Sequence, residues 1–172
     1  MAIVSNANLC DEDMSVITDW FDGDTGTGAS TQVTFDSKSC LKLDSGATPA
    51  IGTYAGRARD LGSFGTRTVF SLNVYIDEIS SGSNYLEFAA YNGSTALAIK
   101  FAIDGFYVHN GTSYVEVGTD LVVTDTWQEW TFDIDWTAQT VDIYLGQTLQ
   151  SADVDCSYAS ANPNGSTSFT QY

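Results

Sequence analysis

Three short turn sequences, each an Asn or Asp followed by Gly, divide the middle of the chain into short segments. They are Asn92-Gly93, Asp104-Gly105 and Asn110-Gly111. Such pairs readily adopt the left-handed backbone that a two-residue hairpin turn requires. Between the turns, apolar and polar residues alternate with a period of two, which is typical of a half-buried strand. The turns and the alternation together predict an antiparallel meander.

The same alternation appears before and after the meander, and no segment keeps a 3.6-residue period over the length of a helix. A strand with one apolar face buries that face against a second sheet. A length of 172 residues suits one domain. We therefore predict an all-β, two-sheet antiparallel β-sandwich over residues 1–172, with an irregular segment at 1–18. Its predicted core contains Phe70, Leu72, Val74, Leu86, Phe88, Leu97, Ile99, Phe101, Trp130, Phe132, Ile134, Val141, Ile143 and Leu145.

The charge balance excludes two classes of partner. Acidic residues outnumber basic residues by 22 to 6, which gives a net charge of −16. Binding to nucleic acid or to an anionic membrane surface needs many lysines and arginines, so we expect neither. No apolar run approaches the roughly 20 residues of a transmembrane helix, so no membrane insertion is expected. The amino terminus also lacks the basic region of a signal peptide.

The three cysteines, Cys10, Cys40 and Cys156, lie far apart and lack the spacing of metal ligands. Disulfides persist mainly in oxidising compartments. One disulfide with a free thiol and three buried thiols both agree with the sequence, so the two alternatives stay open.

Three passages carry a resemblance to a known family. They are TWQEWTFDID at 126–135, TVDIYLG at 140–146, and the turn DGFY at 104–107. These passages resemble those of concanavalin A-like lectin/glucanase domains, a group that includes the laminin G-like modules. The resemblance spans roughly residues 19–149. It implies a jelly-roll sandwich and leaves the function open, because many activities share one fold.

The carboxyl end departs from the pattern of that family. Members usually close the sandwich with a last strand that pairs near the first one. Here the stretch 167–172, TSFTQY, is expected to begin the penultimate strand, so the closing strand is expected to be lacking. An uncovered sheet edge favours association with other chains. This feature favours a protein that assembles with neighbours.

Tyrosines recur on the predicted polar face of the strands, with acidic and basic residues between them. Flat aromatic rings stack on sugars, and polar groups bind hydroxyls. The alternative is that outward tyrosines simply suit strands. The family resemblance also implies that glycan binding is a common non-catalytic role. The candidate ligand-binding residues are Asn73, Tyr75, Tyr85, Glu87, Tyr91, Lys100, Tyr107, His109 and Tyr114.

Acidic residues are dense near the amino terminus, and Ca²⁺ takes six to eight oxygen ligands. The candidate calcium ligands are Asp19, Asp22 and Asp24. Domains of the resembled family often hold a structural Ca²⁺ near this strand, which implies one here. The spacing is not that of an EF-hand. The alternative is a solvated acidic loop.

Catalytic carboxylates of retaining glucanases alternate on one strand face and include glutamates. The nearest match, Asp133-Ile134-Asp135, has no glutamate, and we expect both of its aspartates to face solvent. Glu87 with Tyr107 and His109 forms only a weak acid/base set across neighbouring strands. We therefore predict a protein without enzymatic activity.

These observations predict a surface module that binds glycan or decorates a larger, multi-copy assembly, on a virion or phage or in an extracellular position. One alternative is a carbohydrate-active enzyme or its attached carbohydrate-binding module. Another is a structural capsid or fibre component whose tyrosine face meets neighbouring protein subunits. All three use the same fold, so the fold alone does not separate them.

Overall fold

The computed structural model of the chain describes residues 21–22, 24, 28–44, 55–60, 64–76, 85–92, 95–102, 104–159 and 166–171. Within these residues the regular structure is strand only, which confirms the predicted all-β class. The strands are β1 Phe21–Asp22, β2 Ala29–Phe35, β3 Lys38–Asp44, β4 Ala55–Asp60, β5 Arg67–Tyr75, β6 Tyr85–Asn92, β7 Thr95–Ala102, β8 Gly105–His109, β9 Tyr114–Gly118, β10 Trp127–Asp135, β11 Thr140–Leu145, β12 Thr148–Asp155, β13 Tyr158–Ala159 and β14 Ser166–Gln171.

The strands form two main antiparallel sheets and one separate hairpin. The larger sheet has the order β1-β4-β14-β6-β7-β8-β9, and β13 pairs with the start of β7. The smaller sheet has the order β12-β11-β10-β5. The predicted meander is the consecutive run β6-β7-β8-β9 in the larger sheet. The hairpin β2-β3 pairs with neither sheet among the described residues.

The core is a layer of aromatic and aliphatic side chains between the two main sheets. Phe106 from the larger sheet stacks on Trp130 from the smaller one, with ring centroids 4.5 Å apart. Phe88 and Phe132 stack in the same way at 5.9 Å. Burial of one such ring contributes about 2–3 kcal/mol. Every predicted core residue lies in this layer or packs against it.

The prediction that the closing strand is lacking is wrong. The strand β14 lies inside the larger sheet, where Phe169 pairs with Arg57 of β4 on one side and with Phe88 of β6 on the other. Local sequence does not reveal this position, because a long connection separates β14 from both partners. The edge that the sequence suggested was open is therefore filled by the chain itself.

The expectation that Asp133 faces solvent is also wrong. Its side chain is 8% exposed and accepts two hydrogen bonds from Arg67, at 2.7 Å from Nε and 2.8 Å from Nη2. The pairing of β5 with β10 puts Arg67 opposite Asp135, one diagonal position from Asp133 on the same face. Asp135 is half-buried and caps the following turn by accepting the N–H groups of Thr137 and Ala138.

Two of the three cysteines lie in the described part of the chain, and both are free thiols. Cys156 is buried, and this burial raises the pKa of its thiol to about 12. Cys40 is half-buried in β3. A disulfide between these two is therefore excluded, while Cys10 lies outside the described residues.

None of the described residues forms a helix that is both long and apolar enough to cross a membrane.

Candidate ligand-binding site

Most of the candidate ligand residues share the outer face of the larger sheet, which is the side turned away from the core. The register places Glu87 of β6, Lys100 of β7 and Tyr107 of β8 in one row across three neighbouring strands. The next row along pairs His109 with Tyr114 of β9. We call the group of Tyr85, Glu87, Lys100, Tyr107, His109 and Tyr114 the outer-face cluster.

Lys100 connects two rings of the outer-face cluster. Its ammonium nitrogen lies 4.9 Å from the ring centroid of Tyr85 and 4.9 Å from that of Tyr107. Each cation–π contact at a partly exposed site contributes about 0.5–1 kcal/mol. Because both rings contact the same ammonium group, Lys100 helps to hold them in position on the surface of the sheet.

Glu87 is the acidic centre of the cluster, and the hydroxyl of Tyr114 donates a hydrogen bond to its carboxylate. Burial raises the pKa of Glu87 above its ordinary value, and the hydrogen bond from Tyr114 partly opposes that rise. Burial, and then the charge of Glu87, raises the pKa of Tyr85 as well. These shifts favour the protonated form of Tyr85 and let Glu87 hold a proton at a higher pH than an exposed glutamate.

The imidazole of His109 completes the cluster at the end of β8. Its ring meets Tyr114 edge-on at 5.0 Å and lies 4.4 Å from the ring of Tyr158. Its Nδ1 accepts the N–H of Gly111 at 3.0 Å, and burial lowers its pKa. Both features favour the neutral ring, whose Nε2–H remains a hydrogen-bond donor. Tyr158 was not predicted, because it comes from a strand far along the chain.

The turn between β8 and β9 is held to another loop, which sets the position of His109 and Tyr114. The side-chain oxygen of Asn110 accepts the N–H groups of Thr112 and Ser113, each at 3.0 Å. Gly111 has a φ of +88°, and a Cβ there would lie 2.8 Å from the carbonyl oxygen of Ser157. Only glycine fits this close approach in a left-handed conformation.

Two predicted site residues, Asn73 and Tyr75, do not belong to this face. They lie on β5 of the smaller sheet, because alternation assigns a residue to one side of its strand and does not assign the strand to a sheet. Tyr91 does share β6 with Glu87. Four residues along a strand span about 13 Å, so Tyr91 lies beyond direct contact with Glu87.

Tyr75 instead contributes to an open depression of about 520 Å³, lined by Phe35, Asp36, Tyr75, Asp125, Thr126 and Trp127. We call it the aromatic depression. The ring of Tyr75 lies 4.7 Å from that of Phe35 and 5.5 Å from that of Trp127. The sequence did not predict this site, because Phe35 belongs to a hairpin whose turn, Asp36-Ser37, lacks the glycine that usually marks one.

The calcium prediction stays a prediction. Asp19 lies outside the described residues, and Asp22 is described by its backbone alone in β1. The carboxylate of Asp24 accepts the N–H of Ser30 at 2.8 Å. Among the described residues, no group of three His, Cys, Asp or Glu side chains is arranged to hold a metal ion. The oxygen chemistry of the three aspartates fits Ca²⁺, and chelation provides its test.

Comparison with known proteins identifies the fold and no family. No protein-family model matches the chain. No curated protein is significantly similar to it in sequence. A solved structure named sialidase superimposes over 90% of this chain with a TM-score of 0.64 and 12% sequence identity. The chain corresponds to 13% of the length of that sialidase. At this identity the likeness shows a shared β-sandwich fold, which is compatible with the predicted jelly roll.

Proposed function

We propose that this chain is a carbohydrate-binding module without enzymatic activity and that the outer-face cluster is its binding surface. The observation that carries the proposal is the position of Lys100, 4.9 Å from each of the two rings of Tyr85 and Tyr107. This contact holds two aromatic side chains on one sheet face beside a carboxylate, Glu87, and an imidazole, His109. Aromatic surface combined with a few convergent polar groups is typical of a small-ligand site.

The chemistry of the cluster suits the hydroxyl groups of a sugar. The carboxylate of Glu87 accepts hydrogen bonds, the Nε2–H of His109 donates one, and the tyrosine hydroxyls do both. Ring faces of Tyr85 and Tyr107 supply the apolar contact that a pyranose offers through its C–H groups. A net charge of −16 repels polyanionic glycans at long range, so we expect a neutral or weakly charged glycan.

The module is proposed to act within a larger assembly, as an adhesive or decorating domain on a virion, phage or cell surface. The structural neighbour supports a modular arrangement, since the matched region is 13% of a sialidase chain. That neighbour is, by its name, a carbohydrate-active protein. The shortage of lysine and arginine supports a surface that avoids nucleic acid.

A glycan array tests the proposal, using the wild-type chain, Tyr107→Ala and the matched control Tyr144→Ala. Tyr144 is a half-buried tyrosine on β11 in the other sheet. Tyr107→Ala is expected to weaken binding at least about tenfold, the equivalent of one lost aromatic contact, while Tyr144→Ala binds normally. Equal binding by both variants would refute the outer-face site. No binding by any form would favour the structural alternative, in which the tyrosine face meets neighbouring subunits.

Calcium is tested in the same array with and without EDTA. We propose that Asp19, Asp22 and Asp24 hold a structural Ca²⁺. Removal of Ca²⁺ by EDTA should then lower the melting temperature, and it should weaken glycan binding because the fold is less stable. Asp24→Asn should have the same two effects. A melting temperature that EDTA leaves unchanged would remove calcium from the proposal.

Catalysis is a second candidate function, favoured by one observation. Glu87 has a raised pKa and accepts a hydrogen bond from Tyr114, whose ring contacts His109. A carboxyl group with a raised pKa keeps its proton to a higher pH than an ordinary glutamate, which is the property that a general acid needs. Incubation with polysaccharides and an assay for new reducing ends tests this function. Cleavage that Glu87→Gln abolishes would establish an enzyme and replace the proposal of a binding module.

A further inference from the structure

We infer that the aromatic depression is a second saccharide site, independent of the outer-face cluster, and that it binds a neutral sugar ring. Its wall is formed by the three rings of Phe35, Tyr75 and Trp127, and its remaining lining is Asp36, Asp125 and Thr126. The site lies where the tip of the β2-β3 hairpin meets the ends of β5 and β10. Tyr75 and Trp127 belong to the smaller sheet and Lys100 to the larger one, so the depression and the outer-face cluster lie on different sheets.

The aromatic wall of the depression is preformed and partly open. The Phe35 ring lies 4.7 Å from Tyr75 and 6.1 Å from Trp127, and the rings are tilted by 57° and 48°. Phe35 is 42% exposed, so part of its ring faces solvent. An exposed ring supported by two others offers an apolar platform without any rearrangement. A volume of about 520 Å³ accommodates one or two sugar rings.

The two carboxylates of the polar rim come from residues with a left-handed backbone conformation. Asp36 has a φ of +51° and Asp125 a φ of +57°, both in the left-handed region. Asp adopts this conformation more readily than most residues because its short polar side chain can hydrogen-bond to the nearby backbone. The N–H of Asp125 donates to the carbonyl of Ile76 at 2.8 Å. The hydroxyl of Tyr75 donates a hydrogen bond to the carboxylate of Asp125 at 3.5 Å, which ties this part of the rim to the aromatic wall.

The loop that carries Asp125 is further anchored from β10. The side chain of Gln128 is buried, accepts the N–H of Val123 at 2.9 Å and donates to the carbonyl of Leu121 at 2.7 Å. These bonds tie the connection before β10 to the strand itself. The rim therefore needs little ordering when a ligand arrives, which lowers the free-energy cost of binding.

The charges around the depression define the class of ligand. Its lining offers two carboxylates and a threonine hydroxyl, and these groups favour a ligand that donates hydrogen bonds through hydroxyls. Anionic sugars are repelled. A cationic ligand is disfavoured because a lysine of the chain already takes the place of a cation. The ammonium of Lys38 lies 4.4 Å from the centroid of the Trp127 ring and 4.0 Å from the Asp36 carboxylate. A neutral pyranose is the ligand that remains.

Two-dimensional NMR of the ¹⁵N-labelled chain locates the site directly. The probes are the methyl glycosides of glucose, galactose and mannose, titrated into the millimolar range, with methyl glucuronide as the anionic control. The amide of Thr126 and the indole N–H of Trp127 report on the depression, and the amides of Lys100 and Tyr107 report on the outer face. We expect at least one neutral glycoside to shift the first pair, and methyl glucuronide to bind at least about tenfold more weakly.

Two variants test the depression by different changes, so that a folding defect in one of them does not decide the result. Phe35→Ala removes the exposed ring and should weaken binding about tenfold. Asp125→Asn keeps a side chain that tolerates the left-handed backbone. Because it removes one negative charge from the rim, it should reduce the difference in affinity between the neutral glycosides and methyl glucuronide. Tyr107→Ala serves as the matched control and should leave the depression unaffected.

The outcomes separate this inference from the proposed function. Shifts confined to Lys100 and Tyr107 would overturn the inference and leave the outer-face site standing. Shifts confined to Thr126 and Trp127 would support the inference and count against the outer-face site. An absence of shifts with every glycoside, or equal binding of methyl glucuronide, would overturn the inference.

Discussion

Removal of one hydroxyl, by Tyr114→Phe, tests the electrostatics of the outer-face cluster. In the folded chain this hydroxyl donates to the carboxylate of Glu87, which burial makes harder to ionise. A hydrogen bond to a charged group contributes about 1.5–3 kcal/mol, and one to a neutral group about 1 kcal/mol. Glu87 is only partly buried, so we use the lower part of the range for a charged group. With Glu87 ionised, Tyr114→Phe should therefore lower the free energy of unfolding by about 1.5–2 kcal/mol.

The sign of the pH dependence follows from the protonation of Glu87. The pKa of Glu87 in the folded chain lies above its ordinary value of 4.5. At low pH the carboxyl group is protonated, so Tyr114→Phe removes a hydrogen bond between two neutral groups. As pH rises through the folded pKa, the carboxylate ionises and the variant lacks the bond that stabilised it. The destabilisation caused by Tyr114→Phe should therefore grow with pH.

Urea unfolding of the wild type and the variant between about pH 4, below the ordinary pKa of a glutamate, and about pH 8 measures this growth as a free energy of unfolding. At the upper end the melting temperature should fall by about 3–8 °C for a chain of this size. Tyr91→Phe, on the same strand as Glu87 and beyond its reach, is the matched control. A loss that is the same at both ends of the pH range would refute the reasoning.

Three further predictions concern the frame of the protein. Ser37 has a φ of +62°, so Ser37→Gly should relieve left-handed strain and stabilise the chain by about 0.5–1 kcal/mol in urea unfolding, and a loss of stability would contradict this. Arg67→Met leaves the carboxylate of Asp133 buried without its partner and should destabilise by about 2–3 kcal/mol, and adding Asp133→Asn should restore part of the loss. Burial raises the pKa of the Cys156 thiol to about 12, so iodoacetamide at neutral pH should label Cys40 and reach Cys156 only after unfolding, as peptide mass spectrometry would show.

The meander illustrates what local sequence can predict. The pair Asp104-Gly105 marks the start of β8, and the alternation that follows puts Phe106 and Val108 in the core and Tyr107 and His109 on the outer face. Hairpins between consecutive strands need only a short turn, so the neighbours in the sheet follow the order of the chain. Six of the predicted ligand residues therefore meet on one face without further information.

The smaller sheet illustrates the opposite case. The pattern around Tyr75 assigns its side chain to the polar side of a strand and says nothing of the sheet to which that strand belongs. The pairing of β5 with β10 decides that, and it brings Tyr75 beside Trp127, 52 positions along the chain. The same pairing buries Asp133 under Arg67. Both corrections come from contacts that are distant in sequence.

The strands of the meander, the core residues and the polar face of the meander follow from the sequence alone, because a period of two and a turn signal act over a few neighbouring residues. The place of β14 in the middle of the larger sheet, and the meeting of a hairpin tip with two strand ends at the aromatic depression, are visible only in the folded chain. These arrangements depend on loop closure and side-chain packing over long separations, and no local pattern encodes them.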